Sequence, residues 1–230
     1  MTIQKLVCVT MILSDITGGV IMFKNIVFDI DGTLIDTEKA YMNALLKVLN
    51  EQRHHDFTYE QVVTIFGIPA KEGLQELGLA DEDIPGIIKD WYVAFDDFAD
   101  LASIFDGVTN TLKSLQTFDI ELGIVTSKTL AEFKSVFDPL GLTPIFQNVV
   151  TASDTAKHKP DPEPLLKMIE ISGIPAEQTL YIGDTKFDLD CAHGAGVKFG
   201  LAGWGAHNNG QFQEMDYFLS RPAEIVDLVR

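Results

Sequence analysis

Two aspartates one residue apart, Asp29 and Asp31, are the first residues whose types and spacing could do chemistry. They close a short apolar run, residues 25–30 (NIVFDI), and lead into Gly32-Thr33-Leu34. Alternate residues of a strand point the same way, so the two carboxylates leave it on one side. Gly32 permits a sharp turn there. Adjacent carboxylates resist ionising together unless a cation lies between them. Oxygen-only ligands favour a hard ion such as Mg2+. A helix cap would explain a bare Asp-x-Asp-Gly as well, so the pair gains meaning from its company. Thr126-Ser127 closes a second apolar run, where a hydroxyl and free backbone N–H groups can hold phosphoryl oxygens. Lys159, ahead of Pro160, can neutralise phosphate and orient a nucleophile. Asp184 and Asp188 follow a further run and share one face if a helix begins there, so both can face the same ion as Asp29. For Asp188 a helix-dipole role competes with that reading.

These clusters need a scaffold that brings distant strand ends together. Residues 25–30, 122–125, 148–151, 180–182 and 197–201 are nearly continuous apolar runs, as strands buried on both faces of a parallel sheet are. Helical stripes lie between them: Val108, Leu112 and Leu115, then Phe133, Val136, Phe137 and Leu140. Asp161 is the expected N-cap of another helix, with Pro162 at its first position and Gly173 at its far end. The alternation predicts a doubly wound, Rossmann-like α/β parallel sheet. Such sheets bind ligands beyond the carboxyl ends of their strands, which is where all four clusters fall. Residues 38–104 break the pattern. Tyr41, Leu45 and Val48, then residues 62–66, 74–77 and 87–101, read as helices, with no strand among them. The expected division is a core of residues 22–37 and 105–230 and an inserted α-helical domain of residues 38–104. The joins near Thr37 and Asp106-Gly107 are short enough to be hinges.

The bulk numbers limit the partners. A chain of 230 residues with 46% hydrophobic and 22% charged residues is ordinary for a globular protein. Its 34 acidic against 17 basic residues give a formal charge of −17, which repels nucleic acid. An anionic substrate must then be drawn in by a metal ion or a few placed cations. Cys8 and Cys191 fit no metal-ligand spacing and read as two reduced thiols of a cytoplasmic protein. Residues 6–13 are apolar but too few to span a membrane, and no small-x-small site marks a cleaved signal. Residues 1–21 are expected to have no catalytic role. Met22 stands just before the first strand, and Gly18-Gly19 upstream is what a ribosome-binding site would encode if translation began at Met22. Oligomeric state leaves no signature in the sequence.

Taken in order, the four clusters resemble the signature motifs of the haloacid dehalogenase superfamily, and the similarity runs from Phe23 onward. The helical insertion looks like that superfamily's mobile cap. Phe105-Asp106-Gly107-Val108, Gly123-Ile124-Val125-Thr126 and Lys159-Pro160-Asp161-Pro162 are similar to the phosphoglycolate phosphatase group. The dehalogenases themselves lack an acid at the position of Asp31, so the resemblance implies phosphoryl chemistry. It implies a Mg2+-dependent phosphatase acting on a small phosphorylated metabolite through an aspartyl-phosphate on Asp29. Asp31 would then be the acid/base, and Asp29, the Asp31 carbonyl, Asp184 and Asp188 would hold the metal. Thr126, Ser127 and Lys159 would hold the transferring group. Gly67-Ile68-Pro69 resembles the cap loop that closes over the site, and Lys71 could reach a second anionic group of the substrate, although a solvated helix start explains it as well. Asp36 is explained by capping the first cap helix, His54 and His55 by a polar helix end, and Trp204 by core packing. Two rivals stand beside this reading: a sugar phosphomutase of the β-phosphoglucomutase kind, and a non-catalytic phosphometabolite-binding protein.

Overall fold

The computed structural model describes residues 23–207, 212 and 214–230. The expectations for residues 1–21, including Cys8, lie outside them. In chain order the elements begin with β1 (Asn25–Phe28), β2 (Ile35–Asp36), α1 (Glu38–Leu46), α2 (Tyr59–Val62), α3 (Ala70–Glu76) and α4 (Ile84–Phe95). They continue with β3 (Ser103–Ile104), α5 (Val108–Leu115), β4 (Glu121–Val125), α6 (Leu130–Glu132) and β5 (Asn148–Val150). The last are α7 (Glu163–Ser172), β6 (Thr179–Gly183), α8 (Lys186–Gly194), β7 (Lys198–Ala202) and β8 (Tyr217–Leu219).

Six strands form one parallel sheet in the order β5-β4-β1-β6-β7-β8. Period-two alternation assigns each side chain to a face. Ile26 and Phe28 of β1, Leu122 and Ile124 of β4, and Leu180 and Ile182 of β6 enter one core. Val27, Val125 and Tyr181 enter the other, beneath Leu165 and Met168 of α7 and Leu189 and Ala192 of α8. Both faces are covered, so these strands read as apolar runs rather than alternating ones. Each such side chain contributes about 1.5–3 kcal/mol by leaving water. The chain turns from one edge of the sheet to the other around β1, and the carboxyl ends of β1, β4 and β6 therefore meet in one crevice.

Between β2 and β3 the chain is helical. Ala40, Ala44, Leu45 and Val48 of the first helix pack with Ile87, Trp91 and Phe95 of α4 in the same core cluster. Residues 38–104 are not strand-free, however: β3 pairs antiparallel with β2, Ile35 opposite Ile104 and Asp36 opposite Ser103, as a neck under the helices. Two residues are too few to display a period, which is why this ribbon is silent in the sequence. The sheet's edge strand β8 and the 3-10 helix Pro222–Leu228 were also unanticipated. At the start of α7 the helix begins at Glu163, one residue later than expected, with the Asp161 carboxylate accepting the Glu163 N–H at 3.0 Å. Gly173 ends it at φ +69°. Asp36 accepts the Glu38 N–H at 3.1 Å at the head of α1. Among the described residues, no helix is long and apolar enough to cross a membrane.

Candidate active site

The site grows from the end of β1. The Asp29 N–H still donates to the Ile182 carbonyl at 2.9 Å, so sheet hydrogen bonding carries this residue one step past the strand and holds it 6% exposed. Behind it the chain turns at Gly32, whose φ of +72° suits glycine. A side chain at Gly32 would also run into the Asp184 carboxylate. The turn is held from outside as well. Trp204 donates its indole N–H to the Thr33 carbonyl at 2.9 Å, and the Gly205 backbone lies against the Gly32 carbonyl so closely that no Cβ would fit. Trp204 therefore packs on the core and supports the turn instead of lining the cavity.

Lys159, from the loop after β5, enters beside Asp29. Its ammonium lies 2.9 Å from Asp29 Oδ1, 2.6 Å from Asp188 Oδ1 and 3.0 Å from the Tyr181 hydroxyl. Burial would lower this lysine, but Asp188 and then Asp29 outweigh it and hold the ammonium well above its usual range. The Asp29 carboxyl is raised too, up to about 7, but here burial is the cause and outweighs the attraction of Lys159. Asp188 is fully buried, and its second oxygen accepts the Thr185 N–H at 3.0 Å and hydroxyl at 2.6 Å. Thr185 in turn caps α8, so Asp188 is both part of the helix cap and the anchor of Lys159.

Asp184, at the end of β6, is 3% exposed, and among the described residues its carboxylate receives one hydrogen bond, from the Thr33 hydroxyl at 3.3 Å. Burial first, then the neighbouring charges of Asp188 and Asp29, push it well above the usual carboxylate range. One carboxylate oxygen each from Asp29, Asp184 and Asp188 lie within 4.8 Å of one another. An under-bonded buried carboxylate in an all-oxygen cluster fits a hard divalent cation.

Asp31 sits apart from that cluster. Its Oδ1 accepts the Thr37 hydroxyl at 2.8 Å and pairs with Lys128 at 2.9 Å. The Lys128 side chain is 2% exposed; its ammonium also donates to the Tyr41 hydroxyl at 2.9 Å and lies 5.1 and 5.8 Å from the Tyr41 and Phe95 rings. Against burial, Asp31 and then Tyr41 keep the ammonium above its usual range. Sequence reasoning missed Lys128 and Tyr181. A tyrosine inside a doubly buried strand must find a partner for its hydroxyl, a signal that could have marked Tyr181. Lys128 directly follows the Thr126-Ser127 pair, and only its position there hints at its burial.

Thr126 is buried, and its hydroxyl accepts the Lys128 N–H at 3.2 Å. Its own N–H, one of the donors expected to be free, bonds the Val150 carbonyl at 3.0 Å. Ser127 is exposed and lines a cavity of about 340 Å³ that opens over Asp29, Asp31, Lys159 and Asp184. Gly67 lines it too, at φ +81°, within reach of Thr185 across the gap. Thr126, Asp188 and Lys71 are outside the lining, and Lys71 is exposed.

A six-stranded doubly wound sheet with a helical insertion after its first strand, and acid-rich turns at the ends of β1 and β6, defines a class of hydrolase. The chain matches the haloacid dehalogenase-like hydrolases over residues 26–202 and belongs to that family. It is 31% identical over 208 residues to the phosphoglycolate phosphatase of Aquifex aeolicus, which covers 89% of this chain and 95% of that protein. It is 29% identical over 208 residues to pyrophosphatase PpaX of Bacillus velezensis, over 88% and 94% of the two chains. Among solved structures, a candidate phosphoglycolate phosphatase of Lactobacillus plantarum is similar with a TM-score of 0.83 at 30% identity, over 90% of this chain and 99% of that one.

Proposed function

We propose that this protein is a Mg2+-dependent phosphatase that hydrolyses a small phosphomonoester by way of an aspartyl-phosphate on Asp29. The observation that carries the reading is the placement of Asp29 against Lys159, with Asp184 and Asp188 around it, at the crevice where the strand ends meet. Lys159 engages Oδ1 of Asp29, which leaves Oδ2 to attack phosphorus. Thr37 and Lys128 likewise both engage Oδ1 of Asp31, leaving its Oδ2 to protonate the leaving alcohol and then to take a proton from water. Ser127 and Lys159, which line the cavity, can hold the phosphoryl oxygens, and the buried Thr126, whose hydroxyl accepts the Lys128 N–H, holds the turn that carries Ser127. Asp29, Asp184 and the Asp31 carbonyl would hold Mg2+, with Asp188 completing the set directly or through water. Bound there, the ion offsets the charge between phosphate and attacking carboxylate. Residues 38–104 act as a cap whose Gly67 loop excludes water when seated. Among the described residues Cys191 is a buried free thiol, pushed up to about 12 chiefly by burial, and this accords with placement in the cytoplasm.

The test is phosphate release from a panel of small phosphate compounds, with Mg2+ and with chelator, for the wild type and Asp29→Asn. Metal-dependent release that vanishes in the folded variant is the expected result. Substantial turnover by Asp29→Asn would refute the nucleophile. Phosphate label passing between sugar positions without net release would make the protein a mutase.

A further inference from the structure

The end of the cavity lined by Glu132 and the aromatic residues differs in character from the carboxylate cluster around Asp29. Four carboxylates line the cavity, those of Asp29, Asp31, Glu132 and Asp184, against two ammonium groups, Lys128 and Lys159. Both ammonium groups already touch protein carboxylates: Lys159 meets Asp29 and Asp188, and Lys128 meets Asp31. Even a divalent cation at the acidic cluster only brings the lining to neutrality, before any phosphate enters. Part of the wall is aromatic, with Trp91 and Tyr92 from α4 and Tyr41 from α1. Glu132 stands on the same cavity. Its Oε2 accepts the Thr129 N–H and hydroxyl, both at 2.7 Å, and among the described residues its Oε1 has no partner. The Tyr92 hydroxyl is raised by burial first and then by the charge of Glu132, which puts the two groups in one electrostatic neighbourhood.

We infer that this end selects an uncharged leaving alcohol, one that offers hydroxyl or amine hydrogens to Glu132 and a flat or apolar face to Trp91 and Tyr92, as a nucleoside or a sugar does. The inference rests on the phosphatase reading and narrows its substrate class. A leaving group with a second anion, such as the carboxylate of phosphoglycolate or the second phosphate of pyrophosphate, would face Glu132 with no unpaired ammonium to receive it. Like charges brought together across an interface disfavour the wrong partner strongly. The volume agrees: about 340 Å³ is within the range of pockets that enclose whole small molecules, and ample for a two-carbon acid. The names of the relatives, phosphoglycolate phosphatase and pyrophosphatase, thus describe substrates that this lining disfavours.

The experiment measures kcat/KM of the full chain with Mg2+ for nucleoside 5′-monophosphates, hexose phosphates, phosphoglycolate and pyrophosphate. A preference of about tenfold or more for a nucleotide or a hexose phosphate over both compounds with a charged leaving group is expected. Which of the two leads identifies the source of the alcohol. Phosphoglycolate or pyrophosphate as the best substrate overturns the inference and leaves the phosphatase standing. Silence with every compound removes the phosphatase reading itself, and this inference with it. Glu132→Gln keeps an acceptor for the Thr129 cap and removes the charge. It should raise kcat/KM for phosphoglycolate and, through KM, lower it for the preferred substrate, each by about three- to tenfold. An unchanged ratio in this variant overturns the inference. Calorimetric titration of Asp29→Asn ranks the same compounds without turnover; the same order supports the inference and the reverse order overturns it.

Discussion

Lys159 and Lys128 are both buried lysines paired to an aspartate of the same turn, yet they are fixed by different parts of the molecule. Lys159 rests on the sheet and the helix that follows β6, with no part of the insertion: Asp188 on α8, Tyr181 on β6 and Asp29 after β1 hold its ammonium. Lys128 spans two regions, reaching from the end of β4 to Asp31 and then to Tyr41 and Phe95 of the helical insertion. The exposure of the paired carboxylates differs in the same way, 9% for the Asp29 side chain against 27% for Asp31. Surroundings built from the sheet hold one geometry. Surroundings shared with the insertion are complete only while α1 and α4 are seated. A rigid setting for Asp29, the proposed nucleophile, and a conditional one for Asp31, the proposed acid/base, follow from that difference.

Removing Lys159 should have the largest effect. Lys159→Met leaves two buried carboxylates, Asp29 and Asp188, without their ammonium, and loss of one partner of a buried pair costs about 3–5 kcal/mol. Urea unfolding of the metal-free protein should show it, with part of the loss recovered on adding Mg2+; an unchanged midpoint would mean that the sheet-held centre is not strained by its charges. The pH dependence of the metal-free wild type comes next. Asp29 is raised in the folded protein from 3.8 to about 7, so the folded state holds its proton more tightly than the unfolded chain. Stability is therefore full below about pH 4 in this contribution and falls as pH rises through 7, by roughly 4 kcal/mol at most. Chelated protein should unfold more easily at pH 8 than at pH 5.5, and a flat profile would contradict the burial of that charge.

Lys128→Met should cost less stability, about 1–2 kcal/mol, because Asp31 is open enough to be hydrated and keeps the Thr37 hydroxyl. Its effect should fall on kcat more than on KM, since Asp31 is the proposed proton carrier. Tyr41→Phe keeps the ring over Lys128 and removes only the hydroxyl. It should cost about 0.5–1.5 kcal/mol and lower kcat a few-fold. If Lys128→Met and Lys159→Met proved equally destabilising, the contrast between the two centres would be lost.

Much of this site was legible because its members sit at strand ends, where an apolar run stops on a polar residue. Asp29, Thr126 and Asp184 are of that kind, Lys159 stands in the loop beyond β5, and the sheet that gathers them follows from the runs themselves. What stayed hidden is contact across the fold. Nothing in the local spacing of Lys128 distinguishes it from the exposed Lys157 and Lys186, because its burial is supplied by Tyr41 and Phe95 from another region. Lys71 failed in the opposite direction: it lies close in sequence to the cavity-lining Gly67, Ile68, Pro69 and Ala70 but on the outward side of a helix turn. The short strands β2, β3 and β8 are pairing events between distant segments, and two or three residues carry no periodicity to announce them.

The backbone contact of Gly205 with Gly32, and the Trp204 bond to Thr33, also set a schedule. The turn that aims Asp29 is synthesised before the residues that brace it, which are added some 170 positions later. At typical elongation rates, about 5–20 residues per second, the nascent chain carries its reactive carboxylate for many seconds before the brace exists. A growing polypeptide therefore holds the parts of the site well before it can use them.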